Sequence, residues 1–186
     1  MRDRTLTDGI VALRRWRETD ADELVACANG DDVLAVWLDR LPQPYTRRDA
    51  LAYIRGETIP DEEAYCIADA ESGRVLGSIG INRKPGGDGV VEIGYWTRAD
   101  ARGRGLMTRA LRLAAGKALD DGAARVQLRA DPENVASCRV AEKVGFTREG
   151  VLRSAHWNPR LGRRQDWAMY SLLPGDENGV AFVERA

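Results

Sequence analysis

Apolar and polar positions follow two periods along this chain. Alternation at period two marks Glu63–Ala70 (EAYCIADA), and Arg74–Arg83 (RVLGSIGINR) and Val90–Thr97 (VVEIGYWT) follow as further strands. The turn signals Glu71-Ser72-Gly73 and Pro85-Gly86-Gly87-Asp88-Gly89 separate them. Helical spacing governs Gly105–Asp120, where Leu106, Ala110, Leu113 and Ala114 form a stripe, and Glu133–Val144, which Gly145 closes. Upstream, Ile10–Arg17 reads as a strand, and Asp20 with Glu23 reads as a capping-box-like start for a helix over Ala21–Ala28. Thr46 with Asp49 starts another, whose stripe of Leu51 and Ile54 extends to about Thr58. Between them, Gly30, Pro42 and Pro44 break Asn29–Tyr45 into a partly helical connector. A strand at Arg125–Ala130 and two final strands near Phe146–Trp157 and Arg163–Leu173 complete the pattern. Strands that first run together and later alternate with helices predict an α+β protein built on one mixed sheet.

Composition narrows the function classes. A chain of 186 residues favours one domain with a complete core, here spanning 9–174, followed by a polar, loosely held tail over 175–186. Lys plus Arg number 28 against 29 Asp plus Glu, so the chain lacks the positive surplus of a protein living on nucleic acid. No apolar run approaches the ~18 residues of a membrane span, and Met1-Arg2-Asp3-Arg4-Thr5 leads into no apolar signal region. Cys27, Cys66 and Cys138 are an odd, widely spaced set with no CxxC pair, which argues against a disulfide framework and against a metal site. A reduced, cytoplasmic compartment is the expectation.

The segment Glu92–Met107 (EIGYWTRADARGRGLM) carries the first chemistry. A strand ends, a short Arg/Gly loop follows, and a helix begins at once. Gly103 and Gly105 allow a sharp turn, and the first-turn N–H groups of the helix lack internal partners. The helix dipole adds partial positive charge there, and Arg98, Arg102 and Arg104 add full charges, so the loop suits a phosphate. It is neither a Walker loop nor a GxGxxG fingerprint.

The loop resembles the acetyl-CoA loop of GNAT enzymes, Arg/Gln-x-x-Gly-x-Gly/Ala, with Arg102, Arg104 and Gly105 on pattern and Met107 at the final small position. One helix and one strand later, Asn134-Val-Ala-Ser137-Cys-Arg-Val-Ala-Glu142-Lys143-Val-Gly145-Phe146 is similar to the second cofactor-contacting helix of that superfamily. With the E-I-G-Y-W run, F-x-x-E-G-x-L-R and the closing D-W-A-M-Y-S-L-L, it is similar to the RimJ/RimL branch, which acetylates protein N-termini. The resemblance implies a mixed, mostly antiparallel sheet of about seven strands flanked by about four helices, with the fourth and fifth strands splayed. The pantetheine arm of acetyl-CoA would then pair with Ile93–Thr97, including Tyr95 and Trp96. The pyrophosphate would rest on Arg102, Gly103, Arg104, Gly105, Leu106, Met107 and Thr108, and Asn134 and Ser137 would face the arm and its sulfur.

Acetyl transfer to an amine needs a base, oxyanion stabilisation and a proton for the leaving thiolate. Glu92, in the strand that would carry the acetyl group, is the expected base, acting through water. Ser137 is the expected hydroxyl, because Ala141 stands where many GNAT enzymes place a tyrosine. Trp37, Tyr45, His156 and Trp157 fall in segments that flank the acceptor site in this superfamily; ordinary packing explains such residues equally. The acceptor implied is a protein or peptide N-terminus, with a small amine such as an antibiotic or polyamine as the alternative. A non-catalytic acyl-CoA sensor is the alternative of another class, and a homodimer is among the assemblies left open.

Overall fold

The computed structural model describes residues 5–83 and 88–176. The expected turn at Pro85–Gly87 and most of the expected loose tail lie outside these residues. The strands are β1 (Leu6–Thr7), β2 (Val11–Arg15), β3 (Glu62–Asp69), β4 (Val75–Arg83), β5 (Val90–Thr97), β6 (Arg125–Ala130), β7 (Thr147–Asn158) and β8 (Arg163–Leu172). The α-helices are α1 (Ala21–Asn29), α2 (Asp32–Trp37), α3 (Arg47–Ile54), α4 (Leu106–Asp120) and α5 (Val135–Val144). The described strands form one open sheet in the order β1-β2-β3-β4-β5-β6-β8-β7. Every neighbouring pair is antiparallel except β5 and β6, which run parallel. That single parallel pair requires a crossover connection, and α4 supplies it.

The expected α+β architecture is present, with one strand more than the pattern predicted. The addition is β1, whose two residues pair with β2 and are too few to show a period. The helix expected from Glu133 begins at Val135, with Asn134 as its cap. Thr46 and Asp49 form the expected reciprocal capping box on α3, but that helix ends at Ile54 rather than near Thr58. Asp20 precedes α1 as expected yet makes no capping bond. Its carboxylate instead accepts from Arg14 at 2.7 and 2.9 Å and from the Arg17 N–H at 2.8 Å, which caps the short 3-10 turn before α1 rather than α1 itself.

Alternation sends each strand's two faces to different cores. Leu13, Tyr65, Ile67, Ile79, Ile81, Val91, Ile93, Val126 and Leu128 pack beneath the α4 stripe of Leu106, Met107, Ala110, Leu111, Ala114 and Ala118. On the opposite face Cys66, Ala68 and Val75 meet Trp16, Leu24, Ala28, Tyr45 and Ala50 of the α1–α3 layer. The strands beneath that second layer approach tightly, and a Cβ at Gly77 would lie 2.2 Å from the Trp96 carbonyl oxygen. The two layers leave the ends of β5 and β6 between them.

Candidate acetyl-transfer site

The strands β5 and β6 separate after a short contact. Val90, Val91 and Glu92 pair with Arg125, Val126 and Gln127, and no further pair follows. From Ile93 to Thr97 β5 pairs with β4 alone, while Leu128–Ala130 pair with β8 alone. The edge of β5 is therefore open toward a gap, a row of backbone groups able to pair with an amide-bearing arm.

At one end of the gap lies the Arg/Gly loop. Gly103 and Gly105 hold φ values of 73° and 74°, left-handed conformations that glycine adopts without strain. Gly105 is the N-cap of α4 and offers no capping side chain, and the first turn of this 15-residue helix contains no acidic residue. Its N-terminal N–H groups thus present partial positive charge to the loop. The arginines contribute less than the sequence suggested. Arg98 is bound to Glu23 at 2.6 Å, Asp100 at 2.6 Å and the Val75 carbonyl at 2.9 Å. Arg102 donates to the Thr97 carbonyl at 3.0 Å and to both oxygens of Asp31. Two of the three cations are thereby paired with carboxylates. Leu106 and Met107 are buried in the main core, so Met107 departs from the small-residue pattern without its side chain crowding the loop.

The α5 side of the gap carries paired hydroxyls. Tyr95 Oη lies 3.0 Å from Ser137 Oγ and 3.3 Å from the Ser137 carbonyl oxygen. Burial pushes the Tyr95 hydroxyl up to about 12, against the opposing effect of its bond to Ser137, so it keeps its proton near neutral pH. Asn134 Oδ1 accepts from the Ser137 N–H at 3.2 Å, which fixes the first turn of α5 and leaves the Asn134 amide group to meet a ligand. The sequence placed Tyr95 here through its backbone; the contact of its side chain with Ser137 was not anticipated.

Glu92 points to the other face. One oxygen accepts from Gln127 Nε2 at 3.0 Å and the other from Arg129 Nε at 2.9 Å and from its Nη2. Both oxygens are engaged, and the lone pairs that remain can still accept a proton directly or through a bridging water. Arg129 also stacks over the Trp167 ring at 4.1 Å, and Trp167 lies parallel to the His156 ring at 5.3 Å and 19°. His156 Nε2 lies 2.8 Å from Asp39 Oδ2, and Asn158 Nδ2 donates to the Val36 carbonyl at 2.9 Å. These contacts bring the end of α2, with Trp37, against β7, with His156 and the half-exposed Trp157. Tyr45 is a correction to the acceptor set. It is buried in the second core, its backbone tied to Asn29, and burial pushes its hydroxyl up to about 12. Gln127, Arg129 and Trp167 were missed by sequence reasoning. Period-two alternation on β6 places Gln127 and Arg129 on one face, but only strand pairing reveals Glu92 as their neighbour.

An open β edge, a bare helix N-terminus and a hydroxyl pair fit an acyl thioester with an amide-bearing, pyrophosphate-containing carrier. The acetyltransferase (GNAT) domain family matches residues 11–147. The chain belongs to that family. As a GNAT protein it is 29% identical over 185 residues, covering 94% of this chain and 99% of the other, to the uncharacterized N-acetyltransferase p20 of Bacillus licheniformis. Its structure is similar to that of RimL, a ribosomal alpha-N-protein acetyltransferase in complex with coenzyme A, at 20% identity and a TM-score of 0.80 over 91% of this chain and 98% of that one. Mycobacterium smegmatis RimJ in complex with a CoA disulfide is also similar, at 21% identity and a TM-score of 0.79 over 94% and 87% of the two chains. This GNAT chain is thus an acetyl-CoA-dependent acetyltransferase with RimJ/RimL-like neighbours. Among its described residues no helix is long and apolar enough to cross a membrane, and no cluster of metal-ligating side chains occurs.

Proposed function

We propose that this acetyltransferase modifies the α-amino group of a protein or peptide N-terminus, by direct transfer in a ternary complex in the cytoplasm. The observation that carries the proposal is the gap after Glu92, lined by the Tyr95–Ser137 hydroxyls on one face and by Glu92 with Arg129 on the other. A second support is the similarity to RimL and to a ribosomal-protein-S5-alanine acetyltransferase from Vibrio fischeri. The chemistry agrees: an α-amine with a pKa of about 7.7–8.0 is partly neutral near pH 7, whereas a lysine amine at about 10.4 is almost wholly protonated.

Acetyl-CoA supplies the activated acetyl group as a thioester. The chain's own residues do the rest. Backbone of Ile93–Thr97 and the N-terminal turn of α4 bind and orient, and the Asn134 amide faces the arm. Ser137, bonded to Tyr95, holds a proton on Oγ where negative charge develops on departure of the sulfur. Glu92 keeps Arg129 and Gln127 at the mouth of the gap and orients the amine through water. Ser137→Ala is expected to lower kcat about 100-fold with acetyl-CoA affinity within about twofold, because the proton donor and not the binding edge is removed. Normal turnover in that variant would exclude Ser137 as the donor.

The deciding experiment is thiol release from acetyl-CoA on peptides with free or blocked N-termini, lysine peptides and small amines, with mass spectrometry locating the acetyl group. Acetylation confined to free peptide N-termini is expected. Reaction of small amines alone would shift the acceptor to that class, and cofactor binding without any turnover would make the protein a sensor.

A further inference from the structure

The α1–α3 face of the sheet seats a second carboxylate beside the gap. Glu62 opens β3 and pairs with Asn82, which pairs in turn with Glu92, so the three share one cross-strand row on one face. The Glu62 side chain folds over Gly80: a Cβ built there would lie 2.0 Å from Glu62 Oε1 and 2.6 Å from its Cδ. The missing Cβ of Gly80 is what provides the seat. Gly80 pairs with Gly94 of β5, and a Cβ on Gly94 would meet nothing within 4 Å. The space over Gly94 is therefore open. It adjoins the Glu62 carboxylate, and Glu92 and Trp96, two residues to either side of Gly94, share its face.

The two carboxylates differ in their commitments. Glu92 is held by Arg129 and Gln127, whereas Glu62 forms no ion pair among the described residues and has Asn82 as its cross-strand neighbour. Burial pushes the Glu62 carboxyl above its ordinary value, with the Asn82 bond opposing. The titratable groups around it on this face are the Tyr53 hydroxyl from α3, which is 2.8 Å from Ser78 Oγ and itself pushed up by burial, and Glu92 with its Arg129 partner beyond Asn82. A half-buried carboxylate without a cation, beside open space at the mouth of the gap, is arranged to receive one.

We propose that Glu62 is the acceptor-receiving carboxylate: it binds the incoming ammonium over Gly94 and takes its proton, delivering a neutral amine to the gap. The inference rests on the acetyl-transfer reading but holds for a peptide or a small amine alike. In this step an N–H bond breaks and an O–H bond forms on Glu62. The ammonium and carboxylate charges cancel, the nitrogen regains its lone pair, and the carboxylic acid returns its proton to solvent before the next turnover. A base shifted toward neutrality suits this task, because proton transfer is most efficient when donor and acceptor are closer in strength.

The test is kcat/KM against pH for wild type, E62Q and E92Q, on whichever amine of the panel reacts. In wild type the acid limb belongs to Glu62, because its ionised form is required and activity falls as pH drops through its pKa. E62Q must wait for an amine that is already neutral, so its limb is expected to move up to about 7.7–8.0 for a peptide N-terminus, with a loss of about 100-fold near pH 6. E92Q is expected to lower the whole profile without moving the limb. Carbon-13 NMR titration of the glutamate carboxyls needs no turnover: one resonance, lost in E62Q, is expected to titrate above the usual carboxylate range. An unmoved limb with kcat/KM within about threefold in E62Q, or a Glu62 carboxyl titrating at the ordinary value of about 4.3, overturns the proposal. If no amine reacts, the acetyl-transfer reading falls and the role of Glu62 falls with it, whereas normal turnover with an unmoved limb in E62Q overturns the Glu62 proposal alone.

Discussion

Glu92→Gln is expected to lower turnover about 100-fold while leaving acetyl-CoA affinity within about twofold, because it disturbs the reacting end of the site alone. The amide preserves shape and can still meet Gln127, but it cannot balance the Arg129 guanidinium, which also stacks on Trp167. Arg129 then lies at the mouth of the gap as a partly buried, unpaired cation that repels an incoming ammonium. The loop of Gly103 and Gly105 and the start of α4, where we propose the pyrophosphate binds, lie apart from Glu92 and stay intact. Pre-steady-state turnover at saturating acetyl-CoA, with a separate dissociation constant from calorimetry, separates the two effects. Equal turnover in both proteins would remove Glu92 from the mechanism, and an equal loss of affinity would show that the gap itself had collapsed.

Asp31→Ala carries the second large effect, on stability and on binding together. Asp31 is 7% exposed and caps α2 by accepting from the Leu34 N–H at 3.1 Å. The same carboxylate holds Arg102, the first residue of the Arg/Gly loop. Loss of the cap costs about 1 kcal/mol, and loss of a pair whose Arg side chain is only partly screened adds about 1–2 kcal/mol. The total of about 2–3 kcal/mol corresponds to a Tm lower by about 8 °C for a domain of this size. Because α2 ends in Trp37 beside His156, the pair also couples the cofactor loop to the acceptor side, and both KM values are expected to rise. Asp31→Asn keeps a capping oxygen and loses the charge, so it should recover about 1 kcal/mol in calorimetry. An unchanged Tm in the alanine variant would refute this account of Asp31.

What the sequence determined by itself is the architecture and the acetyl-CoA-dependent acetyltransferase class. The central strands and the helical stripes of α4 and α5 were legible because strands buried on both faces are rich in apolar residues and helices buried on one face repeat with the helical period. The loop Arg102–Gly105 and the run Asn134–Gly145 were legible as motifs because each is one contiguous segment leading into or forming a helix. Tertiary structure decided what each charge is for. Arg98 and Arg102 looked like phosphate ligands, yet their partners Glu23 and Asp31 lie on α1 and at the cap of α2, far away in sequence. Asp20 had a cap's spacing and went to Arg14 across a turn. Tyr45 had the position of an acceptor contact and joined a core. The Tyr95–Ser137 pair, the Glu92–Arg129–Trp167 stack and the seat of Glu62 over Gly80 all join residues from different elements. Side-chain chemistry in a gap between strands is set by register and by layer packing, and neither leaves a periodic signal in a single chain.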